Sequence, residues 1–177
     1  EHLGVPENFL QGKKCLDAGC GGKGRALKGL FRLGSRDITA IDISEVNINN
    51  AKKENQEIVR YLTFETINIL ELDCSKESFD FIHCSGVIHH CLCPEIAVQR
   101  LYHCLSPGGW IYVSLYGQGG ILYSIAFFFR LMAKFIPYKA IFYLTSLVFN
   151  GYFSNLILDY LYVPYQFHYT ENEAKQL

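Results

Sequence analysis

The chain has 177 residues, of which 50% are hydrophobic and 19% charged, and this is enough for one domain with a packed core. That composition excludes a disordered, collagen-like or coiled-coil protein. Sixteen basic and seventeen acidic side chains give a net charge of −1, so there is no overall positive field and we expect no nucleic-acid partner.

The seven cysteines are odd in number, and their spacing is unlike that of a disulfide-rich secreted domain. We therefore expect reduced thiols in a cytoplasmic protein. The sequence begins at Glu1 and no basic and apolar leader follows, so we expect no signal peptide and trimmed ends.

Up to Gly117, short β-rich runs alternate with helical patterns, which is typical of a parallel sheet with crossover helices. The alternation predicts a doubly wound, mostly parallel α/β fold. The predicted strands are residues 14–17, 38–42, 62–67, 79–84 and 110–115. The predicted helices are residues 24–33, stopped by Gly34; 45–56, capped by Ser44; and one that opens at Pro94 and ends at the turn 106–109.

The turn after the first predicted strand carries the clearest chemical signal. Gly19, Gly21 and Gly24 satisfy G-x-G-x-x-G, and Asp42 ends the next strand, where an acid that binds ribose hydroxyls is expected. Asp17 would repel the pyrophosphate of a dinucleotide and attract an ammonium group. S-adenosylmethionine has an amino group, a ribose and no phosphate, so these residues predict this cofactor. An ordinary tight turn, with Asp17 facing the helix dipole, is the structural alternative.

Five segments, in this order, resemble the class I S-adenosylmethionine-dependent methyltransferases. They are Leu16-Asp17-Ala18-Gly19-Cys20-Gly21, Ile41-Asp42-Ile43-Ser44, Ser78-Phe79-Asp80, Gly86-Val87-Ile88-His89-His90 and Leu105-Ser106-Pro107-Gly108-Gly109. The resemblance covers about residues 3–117 and implies a Rossmann-like sheet. The ending 169–173 resembles the entry to a later helix of the family, so residues 166–177 are expected to begin a C-terminal core helix. The family domain has two further strands, which implies a C-terminal truncation.

The resemblance also implies a set of cofactor-binding residues. In the family, the glycine turn holds the methionine moiety of the cofactor. By the same resemblance, Asp42 would bind the ribose and Ile43 would pack against the adenine ring. A polar residue after the third strand would meet the adenine amino group, and here this residue is Asn68 in place of the commoner Asp. Gly24 matches a glycine spacing that is found in only some members of the family. The implied residues are Asp17, Gly19, Cys20, Gly21, Gly24, Asp42, Ile43, Asn68, Ile69, Ser85 and Gly86.

Histidines and cysteines crowd residues 83–104, but Cys91-x-Cys93 lacks the spacing of structural zinc pairs, so we expect no metal. His89 and His90 follow the fourth predicted strand, and Tyr116 follows the fifth, so these three are the catalytic candidates. Alternatively, these side chains have structural roles, with a histidine that holds the loop through a hydrogen bond and a tyrosine that packs. Methyl transfer from a sulfonium requires alignment of the reactants more than it requires a general base.

Residues 118–165, the helical segment, are apolar and hold no acid before Asp159. Pro137 and Asn150-Gly151 interrupt the apolar runs, so a membrane span is disfavoured. Its apolar composition and its breaks predict a mobile helical cap over the binding site of an apolar or amphiphilic acceptor. Peripheral attachment to a membrane through its aromatic side chains and its basic residues, Arg130, Lys134 and Lys139, is the other interpretation.

Together these features predict an S-adenosylmethionine-dependent methyltransferase with a small-molecule acceptor, cytoplasmic or peripheral to a membrane. The sequence identifies neither the acceptor atom nor an oligomeric state. A NAD(P)-dependent oxidoreductase is the rival enzyme, because the same glycine spacing allows it. A non-catalytic cofactor-binding protein, or a membrane-associated partner of another methyltransferase, is the rival from a different class.

Overall fold

A computed structural model of the chain describes residues 5–74, 78–119, 121–148 and 151–177. The chain divides into two compact units, Glu1–Leu115 and Tyr116–Leu177.

The first unit is built on a five-stranded sheet with every neighbouring pair parallel. Its strands are β1 (Lys14–Ala18), β2 (Asp37–Asp42), β3 (Leu62–Thr66), β4 (Phe79–Ser85) and β5 (Leu105–Ser114). Their spatial order is β3-β2-β1-β4-β5, so the chain changes direction across the sheet between β1 and β4. This confirms the predicted doubly wound α/β fold. In such folds ligands bind at the carboxyl ends of the strands beside this switch point.

β5 begins earlier than predicted. Leu105 pairs with Phe79, and the register shifts between Phe79 and Phe81, so the Ser-Pro-Gly-Gly turn lies within the span of β5. The prediction of a strand that starts at Trp110 was wrong. β5 already pairs with β4 at Leu105, and the shift in register accommodates the turn-forming residues 106–109 between the two paired positions.

Three helices connect these strands: α1 (Arg25–Arg32), α2 (Glu45–Glu54) and α3 (Pro94–His103). Ser44 is the N-cap of α2, as predicted, with its hydroxyl accepting a hydrogen bond from the Asn47 N–H at 3.3 Å. Short 3₁₀ turns occupy Gln56–Tyr61, Ile69–Glu71 and Ile88–His90. The three central strands, β1, β2 and β4, are mostly buried, whereas the edge strands β3 and β5 are partly exposed. The largest fully buried apolar side chains include Leu16, Leu27, Ile38, Ile82 and Leu101.

Gly24 precedes α1 and lies buried where α1 meets the end of α2. Its φ is +52°, and a Cβ there would lie 2.7 Å from both the Asn55 Nδ2 and a Leu27 methyl group. Asn55, itself buried, donates from Nδ2 to the carbonyls of Lys23 and Ala51 at 3.1 and 2.8 Å. The third glycine of the motif therefore serves the close approach of two helices.

Cys74 and Cys104 form a disulfide, with their Cα atoms 5.0 Å apart. The expectation that all seven thiols are reduced is corrected for this pair. The two cysteines are 30 residues apart, and the turn Ile69–Glu71 packs against α3, which brings them together. The remaining cysteines are free thiols: Cys15, Cys20, Cys84, Cys91 and Cys93.

The second unit is helical. It contains α4 (Ile121–Ala133), α5 (Tyr138–Val148), α6 (Gly151–Tyr162) and α7 (Glu171–Gln176). The break predicted at Pro137 falls between α4 and α5, whereas Asn150 of the second predicted break lies outside the described residues. Within the part of the chain that the structure describes, no helix has the length and hydropathy required to cross a bilayer.

Two polar contacts organise this second unit. The Arg130 guanidinium donates to the carbonyls of Tyr160 and Val163 at the end of α6, the latter at 2.7 Å. Thr170 and Glu173 form a capping box at the start of α7, where the sequence resemblance had placed the entry to a helix. Arg130 of α4 therefore has a structural role in joining α4 to the end of α6, which distinguishes it from the exposed Lys134 and Lys139.

Replacing Gly24 by alanine should lower the free energy of unfolding by roughly 2–4 kcal/mol, because the substitution combines a left-handed backbone with overpacking. Gly29→Ala is the matched control, since a Cβ on this exposed glycine inside α1 meets nothing within 4 Å. That change should raise stability by about 0.5–1 kcal/mol. Urea unfolding of the two variants measures both effects, and equal stabilities would refute the packing role of Gly24.

Candidate functional site

The turn that follows β1 is tied to β2 by backbone hydrogen bonds. The N–H groups of Gly19 and Cys20 donate to the Ile41 carbonyl at 2.8 and 2.9 Å. Gly19 has a φ of +83°, and a Cβ there would overlap the side chain of Val87. The turn therefore requires glycine at this position, and its backbone is held against the carboxyl end of β2.

Asp42 holds the same turn from the side of β2. This residue is buried, with 8% of its surface exposed. Oδ2 accepts from the Gly21 N–H at 2.9 Å, and Oδ1 accepts from the Ser44 N–H at 2.9 Å and from Asn47 Nδ2 at 3.1 Å. An ionised carboxylate offers about four lone-pair positions, so one acceptor position on Oδ2 remains for a ligand hydroxyl. Asn47 has no motif signal, and α2 brings it to the acid.

Asp17, at the end of β1, is 2% exposed. Its Oδ1 lies 2.8 Å from the His83 Nδ1 on β4. Its Oδ2 is buried and has no hydrogen-bond partner in the structure. A buried carboxylate oxygen without a donor is costly, so this atom marks a position where a ligand donor would be favourable.

Cys20 lies in the turn near both carboxylates and is buried. Burial, followed by the negative charges of Asp17 and Asp42, raises the pKa of its thiol to about 12. Cys20 is therefore neutral and weakly nucleophilic at physiological pH, and it contributes a small apolar surface to the site.

The residues predicted to meet adenine follow β2 and β3, which are neighbours in the sheet. Ile43 is 71% exposed and presents an apolar surface to solvent. Asn68 caps the 3₁₀ turn Ile69–Glu71, with its Oδ1 accepting from the Leu70 N–H at 3.1 Å. The Ile69 side chain is buried, so this residue offers a ligand mainly its backbone.

Ser85 ends β4 opposite Ser114 of β5, and the Gly86 N–H donates to the Ser114 carbonyl at 3.4 Å. His89 is fully buried, and its ring centroid lies 4.3 Å from that of His90, which is half-buried. Burial of His89 favours the interpretation in which this ring holds the loop over that of a general base.

Tyr116, the third catalytic candidate, belongs to the second unit. Its ring stacks near His168 at 5.7 Å and lies 6.3 Å from Tyr160. Among the described residues no cluster of three or more potential metal ligands is present, including within residues 83–104.

The parallel sheet and its switch point define a doubly wound α/β protein, a class in which the ligand site lies at the carboxyl ends of the strands. A family model described as a methyltransferase domain matches residues 16–113, which is more than half of the chain. The chain belongs to this family, the class I S-adenosylmethionine-dependent methyltransferases.

Two curated relatives show how far the similarity extends. The ubiquinone biosynthesis O-methyltransferase of Idiomarina loihiensis is 34% identical over 116 residues, which are 63% of this chain and 47% of that protein. The mitochondrial enzyme of the same name from Mus musculus is 31% identical over 132 residues, 72% of this chain and 34% of that protein. The chain thus spans about half the length, or less, of these relatives.

A solved structure gives the fold alone. Magnesium protoporphyrin IX methyltransferase from Synechocystis PCC 6803, crystallised with bound SAH, superposes with a TM-score of 0.63 at 19% identity. The match covers 94% of this chain and 62% of that chain. It confirms the Rossmann-like methyltransferase fold expected from the motifs.

The raised pKa of Cys20 predicts slow alkylation in the native state. At pH 8 iodoacetamide should label Cys20 far more slowly in folded than in urea-unfolded protein, because the folded thiol holds its proton. The thiol ionises at a lower pH in the unfolded chain than in the folded one, so the free energy of unfolding decreases as pH rises above about 8.5. Mass spectrometry of the Cys20 peptide measures the rates, and rapid native labelling at pH 8 would contradict the burial of this thiol.

Proposed function

We propose that this chain is the cofactor-binding part of a methyltransferase that uses S-adenosylmethionine and acts on a small apolar or amphiphilic acceptor. The observation that carries the proposal is the buried Oδ2 of Asp17, which has no donor in the structure and lies beside the glycine turn. The ammonium group of the cofactor's methionine moiety supplies such a donor. A dinucleotide would instead bring a pyrophosphate towards Asp17 and Asp42, where like charges repel.

The bound cofactor supplies an activated methyl group, and the protein's own part is to bind, orient and exclude water. Asp17 and the turn at Gly19 and Gly21 receive the methionine moiety. Asp42 offers its remaining acceptor position to a ribose hydroxyl, and Ile43 offers an apolar face to the adenine ring. Each role uses a contact surface that the first unit already presents.

Two further positions complete the proposed site. Asn68 and the backbone of Ile69 face the adenine edge, and Ser85 with Gly86 closes over the cofactor. Gly24 acts through packing between α1 and α2, because it is buried beneath Asn55. The matched family consists of methyltransferases, so the oxidoreductase alternative has no support from it.

The acceptor class rests on the second unit and on the named relatives. A cavity of about 630 Å³, within the usual size range of small-molecule pockets, lies among α4, α5 and α6. Its lining is almost entirely apolar, so it favours a hydrocarbon-rich ligand. The lining residues are Tyr116, Phe129, Met132, Ala133, Ile136, Ile141, Thr145, Ile157, Tyr160 and Leu161. Relatives named for ubiquinone biosynthesis make O-methylation of an amphiphilic acceptor the favoured reaction.

This division of roles assigns residues 1–117 to the cofactor, 118–165 to the acceptor and 166–177 to the start of a core helix. The helical segment also exposes a dense set of aromatic and aliphatic side chains, with Phe135 81% exposed. Lys134 and Lys139 lie among them and are exposed. Aromatic side chains beside cations suit the interface of an anionic bilayer, so we extend the proposal to peripheral membrane contact by this segment.

Asp17→Asn should weaken binding of S-adenosylhomocysteine by about 1.5–3 kcal/mol, the range for a hydrogen bond to a charged group. The amide keeps the shape of the carboxylate and removes its charge. Asp37→Asn is the matched control, because Asp37 is exposed at the opposite end of β2. Titration calorimetry compares the variants.

A thermal-shift panel of S-adenosylmethionine, S-adenosylhomocysteine, NAD and NADP accompanies that measurement. Stabilisation by the first pair alone is expected. Stabilisation by a dinucleotide alone, or equal affinity in Asp17→Asn and the wild type, would overturn the cofactor assignment. Methyl transfer to a lipophilic phenol separates an enzyme from a non-catalytic cofactor-binding protein.

Sedimentation with phosphatidylcholine vesicles, with and without phosphatidylglycerol, tests the membrane contact. Binding should require the anionic lipid and fall about 30-fold in a Lys134→Gln, Lys139→Gln variant, at about 1 kcal/mol per lysine. Lys52→Gln, Lys53→Gln in α2 is the control, and Arg130 stays unchanged because it caps α6. No binding at low salt, or equal loss in both double variants, would exclude this contact.

A further inference from the structure

We propose that His83 is a positioning residue of the cofactor site: its Nδ1 donates to Oδ1 of Asp17, which fixes the orientation of the buried carboxylate and leaves Oδ2 for the ligand's amino group. The inference rests on the proposed function for the identity of that amino group. No sequence motif of the site includes His83, which is the second residue before Ser85 on β4.

The sheet register places His83 beside Asp17. Asp17 of β1 pairs with His83 of β4, and His83 pairs with Tyr112 of β5, so the three residues form one row across adjacent parallel strands. Side chains of such a row lie on the same face of a sheet. The imidazole stacks on the Tyr112 ring with centroids 5.3 Å apart and planes 7° apart. This stacking fixes the ring whose nitrogen lies 2.8 Å from Oδ1.

Hydrogen-bond chemistry decides which group donates. An ionised carboxylate only accepts, so the hydrogen between the two atoms belongs to Nδ1 of the imidazole. The neutral ring meets this requirement as its Nδ1–H tautomer, and the imidazolium meets it as well. Protonation of His83 therefore keeps the bond, whereas a ring without a nitrogen loses it.

The surroundings of Asp17 make this donor important. The thiols of Cys20 in the turn and Cys84 on β4 lie near Asp17, and burial raises the pKa of both, so they stay neutral. Among the described residues, the imidazole of His83 is the side-chain hydrogen-bond partner of the Asp17 carboxylate. Without this donor, the buried Oδ1 loses a hydrogen bond, and the carboxylate is no longer held with Oδ2 towards the ligand.

Two substitutions separate the donor from the ring. His83→Phe keeps a ring against Tyr112 and removes the donor, whereas His83→Asn loses the stacking and keeps an N–H near the position of Nδ1. We expect His83→Phe to weaken binding of S-adenosylhomocysteine about tenfold or more at pH 7. His83→Asn should stay within about threefold of the wild type, because it keeps a donor for Oδ1 of Asp17.

Calorimetry at pH 7 compares these affinities, and the retained binding of His83→Asn is the result that a purely structural role of the ring would not give. Tyr112→Leu controls for loss of packing at the row. In the Asp17→Asn background, His83→Phe should have little further effect, because the partner charge is already gone. Equal affinity of His83→Phe and the wild type, or an equal loss in His83→Phe and His83→Asn, would overturn the inference. Absence of S-adenosylhomocysteine binding by the wild type would instead overturn the proposed function.

A measurement on the wild type does not depend on the folding of any variant. Long-range ¹⁵N spectra of the histidine rings report which nitrogen carries the hydrogen. We expect the His83 ring to carry a hydrogen on Nδ1 at pH 7. A neutral ring protonated at Nε2 alone would refute the donor role.

Discussion

A carboxylate removed from water must accept hydrogen bonds, and the carboxyl end of this sheet contains two such groups, on neighbouring strands. Asp42 takes its donors from the glycine turn and from the start of α2, so the acid also fixes the turn. Asp17 takes one donor from β4 and keeps one oxygen without a partner. The two acids therefore differ: Asp42 organises the turn, whereas Asp17 has a buried oxygen without a hydrogen-bond donor.

The backbone around these acids is correspondingly constrained. Gly19 has Val87 against it, and Gly24 has Asn55 against it, so the turn between β1 and α1 is held at both ends by close contacts. Neutral thiols at Cys15, Cys20 and Cys84 fill space around the strands without adding charge, since burial raises the pKa of each. A rigid turn suits a reaction that depends on alignment of the cofactor more than on proton transfer.

The second unit follows a different physical principle. Its helices bury little of their apolar surface among the described residues, and they leave a cavity with almost no polar lining. The Arg130 guanidinium donates hydrogen bonds to the carbonyls at the end of α6. Of the three basic residues noted in the sequence, Lys134 and Lys139 are therefore the two that remain exposed. Shape and hydrocarbon surface, rather than specific polar contacts, are what this unit offers a ligand.

The sequence by itself determined the parallel α/β fold, the glycine turn and the acids that end β1 and β2, because strand, turn and helix signals are local and the motif residues lie within them. Only the tertiary structure decided that His83 meets Asp17, 66 residues away in the chain, and that Cys74 bonds to Cys104. It also decided that Gly24 serves helix packing, that Arg130 binds the carbonyls at the end of α6 and that β5 starts at Leu105. These contacts depend on strand register and helix packing between distant segments, which local residue patterns do not encode.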